Sequence, residues 1–377
     1  MNGIKEKKLN IWSVSTFVIL AFAVLFIIYP LVLILYKSVI SGSGNLSFAY
    51  FTKFFQKKYY WSTLINSFKV TIVATVISTL LGLMMAYLLR SIVITGNKYL
   101  NIMIVMSYLS PPFIGAYAWI QLLGRNGFIT RVINNILPVK FAGIYGFAGI
   151  VLVFSLQSFP LVYMYTSGAL KSLDNSLVEA AESLGCNLWD RVRLIIVPLV
   201  TPTLLASSLL VFMRVFSDFG TPMLIGEGYK TFPVMIYGQF MGEVSTDDHF
   251  AAALCVIIIG ITLILFFLQR FLSAKFTYSM TALKPMEAVK IGGVKNILVH
   301  LLVYGIVFVA ILPQLTVITT SFLKTGSGGL YTGGFTLENY YNTLLSKNNN
   351  SAILNTYLFG FIAIVIVVVF GIIIAYL

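Results

Sequence analysis

The chain has 377 residues, 59% of them hydrophobic and 10% charged, with a formal net charge of +13 and a mean hydropathy of +0.94. A soluble domain carries about 25% charged residues, so this composition excludes a soluble globular enzyme and predicts a polytopic, all-α membrane protein. The basic residues are scattered through loops and form no stripe with aromatics between them, which argues against nucleic acid and for contact with anionic membrane lipid.

The N-terminal MNGIKEKKLN is basic. The apolar run behind it, Ile11 to Tyr36, is too long for a signal-peptide core and lacks a small-residue cleavage site, so it reads as an uncleaved first span. Lys5, Lys7 and Lys8 then hold the N-terminus in the cytoplasm by the positive-inside rule. Seven more runs approach the ~20 residues that a bilayer crossing requires, near 63–89, 100–123, 144–170, 200–225, 250–272, 297–320 and 351–377. Alternation puts the loops 90–98, 171–193 and 270–295 inside. The aromatic stretch Ser38 to Trp61, with Lys57 and Lys58, predicts an amphipathic segment at headgroup level, or else a contact for a partner protein.

Pro111 and Pro112 interrupt the third run, so its carbonyls need partners from neighbours or a cavity. The fourth carries Gln157 and Pro160; a polar side chain there is either glue between helices or part of a path. Between the fourth and fifth runs lies a polar island, SLVEAAESLGCNLWDRVRLIIVP. Ser176 with Glu179 reads as a capping box that starts a helix at Leu177. Gly185 is placed to end it, Asn187 to cap a second helix, and Pro198 to bound that helix before the next apolar run. Two short helices bent at a glycine make a docking handle.

The fifth run holds Arg214 and Asp218, four apart, which predicts a shared helix face and mutual neutralisation, either as a structural ion pair or in a translocation path. Gly220 and Pro222 then end or bend the helix. His249 and His300 lack the partners of a metal site and read as structural, and Asp247-Asp248-His249 fits a solvated turn or an outer cation site. Cys186 and Cys255 read as free thiols.

The chain also repeats itself. One offset, 289 residues, separates Asn66-Ser67 from Asn355-Thr356, Gly82 from Gly371, and Ala86-Tyr87-Leu88 from Ala375-Tyr376-Leu377. ENYYNTLL stands where AYFTKFF stands, and Pro313 answers Pro30. An internal duplication predicts a second handle at about position 468, in a parent of about 560 residues.

The handle carries a resemblance. Glu179-Ala180-Ala181, Gly185, Ile195 and Pro198, spaced as they are, resemble the Glu-Ala-Ala loop of ABC importer permeases, with Val197 where that family usually has leucine. The Ser217–Pro222 cluster and TFPVMIYGQFMGE are similar to the iron(III) branch. The resemblance implies a type I permease bundle whose handle, Ser176, Glu179, Ala180, Ala181, Gly185, Ile195 and Pro198, sits in a groove of a separate cytoplasmic ABC ATPase, a homodimer. It also implies an extracytoplasmic substrate-binding protein and a bacterial inner-membrane location.

The implied division is a first span with its outer segment (1–62), a first permease domain (63–272) with the handle at 171–199, an inside linker (273–296), and the start of a second repeat (297–377). The chain has no G-x-x-x-x-G-K-[ST] loop and no catalytic constellation, so no enzymatic activity and no bound cofactor are expected, with ATP held by the separate subunit. Ferric iron is the expected substrate; 2-aminoethylphosphonate, thiamine or polyamine are alternatives on the same machinery. An ion-coupled secondary transporter is the competing class, and it would need more intramembrane carboxylates or histidines than Asp218. Gln157, Arg214 and Asp218 are the candidate pathway residues.

Overall fold

A computed structural model describes residues 11–42, 44–136, 141–242, 247–275, 288–325 and 331–376. The N-terminal lysines, Glu243, Leu377 and half of the 273–296 linker (276–287) lie outside them. Among the described residues, seven helices are long and apolar enough to cross a membrane, and an eighth span forms if one bent pair is counted as a single crossing. The chain divides into two compact units, Met1–Tyr50 with Thr319–Leu377, and Phe51–Ile318.

In the first unit, α1 (Ile11–Ala23) runs into α2 (Tyr29–Val39) through a π turn at Val24–Ile28. The cause is Pro30, whose ring would strike the carbonyl four residues back. Widening the turn avoids the clash, and Tyr29 N–H reaches Val24 O instead. Later in the chain this unit holds an antiparallel hairpin, Leu323–Thr325 (β1) with Tyr331–Phe335 (β2). Asn339 donates to Ser321 O (3.0 Å) and Leu323 O (2.9 Å), fixing the hairpin to the helix that follows.

The second unit begins with most of α3 (Ala49–Gln56), then α4 (Lys58–Ser91). α5 (Asn97–Tyr108) and α6 (Pro112–Leu123) follow, α6 running on through α7 (Phe128–Ile136). The third span is broken where Pro111 and Pro112 interrupt its run: the chain turns by 104° between α5 and α6–α7. α8 (Gly146–Lys171) packs along much of α4, and α11 (Val197–Ser217) packs on both. α4 and α8 come close because Gly82 has no side chain: a Cβ there would lie 2.6 Å from Val162 Cβ and 2.9 Å from Phe159 O. Beside it Ser78 Oγ donates to Ser155 O at 3.3 Å. Small residues that admit a neighbouring backbone are the usual means of membrane-helix packing.

Two expectations change here. The aromatic stretch before α4 does not simply lie at headgroup level. Phe54 is completely buried, with its ring 5.5 Å from Phe232 and 6.4 Å from Trp61. The lysine-flanked helix is therefore partly docked on protein. Second, Asp247 is engaged, Oδ1 accepting from Phe250 N–H (3.0 Å) and Oδ2 lying 3.6 Å from Lys53 Nζ, which answers the outer-cation reading with a helix cap and an ion pair.

Two element starts keep the offset of the sequence repeat. α16 (Glu338–Leu345) and α17 (Lys347–Tyr376) begin at the 289-residue offset from α3 and α4. In the first copy the repeated Asn66-Ser67 pair has a visible task. Asn66 Nδ2 donates to Lys230 O (3.1 Å), and Ser67 Oγ accepts from Phe232 N–H (2.8 Å).

Candidate functional site

The handle is built from caps. α9 (Asn175–Ser183) starts two residues earlier than expected, because Asp174 caps it: its Oδ1 accepts from Ser176 N–H at 3.0 Å. The Ser176 capping box is not the starting device, and Glu179 instead accepts from Asn175 Nδ2 at 2.7 Å. Leu173, immediately before the cap, is buried, at 5% exposed.

The helix ends as its sequence predicts. Gly185 has φ 84°, in the left-handed region that a side chain disfavours. Gly185 N–H donates to Glu182 O (2.9 Å) and Cys186 N–H to Ala181 O (3.0 Å), the paired bonds of a Schellman motif. Asn187 Oδ1 then accepts from Asp190 N–H (2.9 Å), opening α10 (Leu188–Arg191).

Pro198 does not bound that second helix. α10 passes through a π turn, Val192–Ile196, directly into α11, and Val197 N–H reaches Val192 O. The relation repeats that at Pro30: in each case a five-residue π turn ends two residues before the proline. The handle is therefore one short helix, α9, hinged by Gly185 to the first turns of a long span. Arg191 Nη1 bonds Glu182 Oε2 at 2.7 Å across the hinge, a contact nine residues apart that no local pattern announces.

Ser176, Glu179 and Ala180 are exposed, Ala181 is buried, and Ile195 is half-buried. Around them Leu177, Leu184, Trp189 and Leu194 are exposed, Leu184 at 85% and Trp189 at 68%. These four large apolar side chains were missed by the sequence reading; Trp189, within a polar loop, was the available signal. Exposed Trp and Leu beside a charged helix make a surface suited to a protein groove.

The second candidate cluster lies where two spans break. α11 ends at Ser217, and Asp218 leaves the helix with ψ 126°. The expected i, i+4 pair therefore does not form, because Asp218 is no longer on the helix that carries Arg214. Asp218 Oδ1 accepts from Thr221 N–H at 3.1 Å, at the start of the short α12 (Gly220–Ile225). Arg214 instead lies over the Tyr108 ring, 4.4 Å from its centroid. Phe113, just past the other break, meets Phe219 at 5.4 Å, and Gly220 leaves only 3.2 Å between a would-be Cβ and the Phe113 ring. Gln157, 8% exposed, sits against Gly115, where a Cβ would fall 2.4 Å from Nε2. The structure thus joins Arg214 and Asp218 to one pair of facing breaks and places Gln157 at the packing of α6 on α8.

The described residues contain no group of three His, Cys, Asp or Glu able to hold a metal ion. His300 bonds Thr95 N–H through Nε2 (3.3 Å) and approaches Asn296 O through Nδ1 (2.9 Å), a structural placement as expected. Both cysteines are free.

Long apolar helices, one broken span and a capped helix projecting between two long spans make the described residues a multi-pass membrane bundle. The sequence profile of the binding-protein-dependent transport system inner membrane component family matches residues 78–278, more than half of the chain, and the chain belongs to that family. It is 27% identical over 369 residues to the ferric transport system permease protein FbpB of Actinobacillus pleuropneumoniae, covering 93% of this chain and 51% of that one. It is also 27% identical over 263 residues to the putative 2-aminoethylphosphonate transport system permease protein PhnU of Salmonella typhi, covering 68% of this chain and 89% of that one. Among solved structures, a bacterial ABC transporter involved in alginate import matches with a TM-score of 0.60 and 13% identity, over 71% of this chain and 96% of that one, which speaks for the fold. The chain spans about half the length of the ferric relative that it matches over 93% of itself.

Proposed function

We propose that the chain is the membrane-spanning part of a binding-protein-dependent importer, and that α9 is the surface through which a separate ABC ATPase drives it. The observation that carries this reading is the handle's construction. α9 is capped at both ends and tied by Glu182–Arg191 to the span that continues through α11 to the break at Asp218. A push on α9 therefore acts on a stiff lever ending at the polar cluster, the kind of element whose two packings a nucleotide at a distant site could bias. ATP is held by the ATPase, a homodimer, and the handle and N-terminus face the cytoplasm. An extracytoplasmic binding protein delivers substrate, with Gln157, Arg214 and Asp218 along its path.

Ferric iron is the substrate we favour, on the likeness to the ferric relative and with iron selectivity residing in the binding protein. The 2-aminoethylphosphonate relative, equally identical over a shorter stretch, supports the alternative. The test is uptake by vesicles containing the chain together with its ATPase and binding protein. ATP-dependent accumulation of iron, with none of the phosphonate, is the expected result. Uptake that persists without the ATPase and collapses with the proton gradient would overturn the importer reading in favour of an ion-coupled transporter.

A further inference from the structure

At one end of the second unit, where α4 and α8 finish and α5 begins, lies a cavity of about 410 Å³. Its polar lining is Arg90 and Lys171 with Asn97, Asn101, Tyr163 and Ser167. Asn97, Asn101 and Tyr163 are occupied with one another. Tyr163 donates to Asn101 Oδ1, Asn101 Nδ2 donates to Asn97 Oδ1 (2.9 Å), and Asn97 Nδ2 donates to Leu89 O (3.0 Å). Ser167 lines the same wall.

The two cations are not. Among the described residues, neither Arg90 nor Lys171 belongs to an ion pair such as Lys53–Asp247, Arg125–Glu227 or Arg191–Glu182. Arg90 Nε is buried and makes no hydrogen bond. A buried guanidinium N–H without an acceptor is costly, so this cavity is short of an anion. Cations at helix C-termini commonly serve the last carbonyls, but several of those carbonyls are already taken here. Leu88 O accepts from Ile92 N–H, Leu89 O from Asn97, and Ala169 O from Ser172 N–H.

We propose that this cavity is a binding site for a phosphate-type anion, with Arg90 and Lys171 as its two charged ligands. It lies where two spans end, the level of lipid phosphates, so the group is supplied either by an anionic phospholipid or by a free phosphate. The Asn97–Asn101–Tyr163 series then serves to hold the walls in place. The proposal does not depend on the importer reading, since it concerns occupancy of the membrane chain alone.

The test uses the purified full chain, delipidated in detergent and titrated with phosphatidylglycerol, phosphatidylcholine or inorganic phosphate, read by thermal stability and by native mass spectrometry. Phosphatidylglycerol is expected to be retained and to raise the melting temperature where phosphatidylcholine does not. Lys171→Gln, at an exposed side chain, and Arg90→Gln should each weaken retention by roughly 10-fold or more. Arg131→Gln, which removes an exposed charge on α7 away from the cavity, should leave retention unchanged. If inorganic phosphate reproduces the effect with the same dependence on Lys171 and Arg90, the source is free phosphate. Equal behaviour of the two lipids with no response to phosphate overturns the proposal, as does equal loss in the Arg131→Gln control.

Discussion

Gln314 Nε2 donates to Ser107 O at 3.1 Å, the very carbonyl that a continuous helix would pair with the N–H of residue 111. Residue 111 is Pro, which has no N–H. A side chain on α15 (Gly293–Ser321) thus supplies the donor that the break in the third span lacks, more than 200 residues away in sequence. In a membrane, where no water can take its place, such a rescue is what permits a broken span. Gln314→Leu should leave Ser107 O unpaired and cost about 1–3 kcal/mol. Gln314→Asn and Gln314→Leu should lower the melting temperature of the purified chain to similar extents, since the shorter amide falls short of the carbonyl. Full stability of Gln314→Leu would show that the bond is dispensable.

Gly82 and its repeat counterpart Gly371 should respond differently to one methyl group. At Gly82 a Cβ meets Val162 and the Phe159 carbonyl, whereas at Gly371 it meets nothing within 4 Å. Gly82→Ala should therefore destabilise by about 1–3 kcal/mol through overpacking, and Gly371→Ala should be near neutral. Melting curves of the two variants side by side decide it. Equal tolerance would mean that α4 and α8 can move apart.

The handle's cap is open to a similar comparison. Asp174→Ala removes the acceptor for Ser176 N–H and should cost α9 about 0.5–2 kcal/mol. Ser176→Ala removes no capping bond and should be mild. Hydrogen exchange at the first amides of α9 reports the difference directly, and faster exchange in Ser176→Ala than in Asp174→Ala would reverse the assignment.

Recognition by the ATPase should separate from assembly. Glu179→Lys leaves the bundle untouched, because the side chain is exposed, and should abolish co-purification with the ATPase while the chain still accumulates in the membrane. Trp189→Ala should weaken the same interaction, as loss of an exposed aromatic anchor commonly does. Unaltered pull-down in both variants would count against the handle.

Asp218 now has a structural task, bonding the start of α12, beside its candidate place in the path. Asp218→Asn keeps an acceptor for Thr221 N–H and removes the charge; Asp218→Ala removes both. If the charge serves transport, Asn should reduce uptake severalfold with normal membrane levels, while Ala should lower both. Wild-type uptake by Asp218→Asn would confine the residue to the cap.

By itself the sequence determined what is local. Composition and run length set a polytopic bundle, because a bilayer admits few alternatives. Gly185 and Asn187 were legible as cap residues, since a positive φ and a free N–H are needs of the adjacent turn alone. The constant offset paired ENYYNTLL with AYFTKFF and the last apolar run with the second, and the starts of α16 and α17 keep that offset from α3 and α4. Tertiary structure decided whatever depended on where a helix stops or what lies across from it. Both Asp174 and Ser176 carry cap chemistry, and the folded chain uses Asp174. Arg214 and Asp218 share a face on paper, but the span ends one residue before the acid, so the guanidinium turns to Tyr108 and the carboxylate to Thr221. Pro198 reads as a boundary, yet a π turn absorbs it. The partner of Ser107 could not be read at all: a proline announces that a carbonyl is orphaned, but which side chain reaches it depends on how distant helices pack.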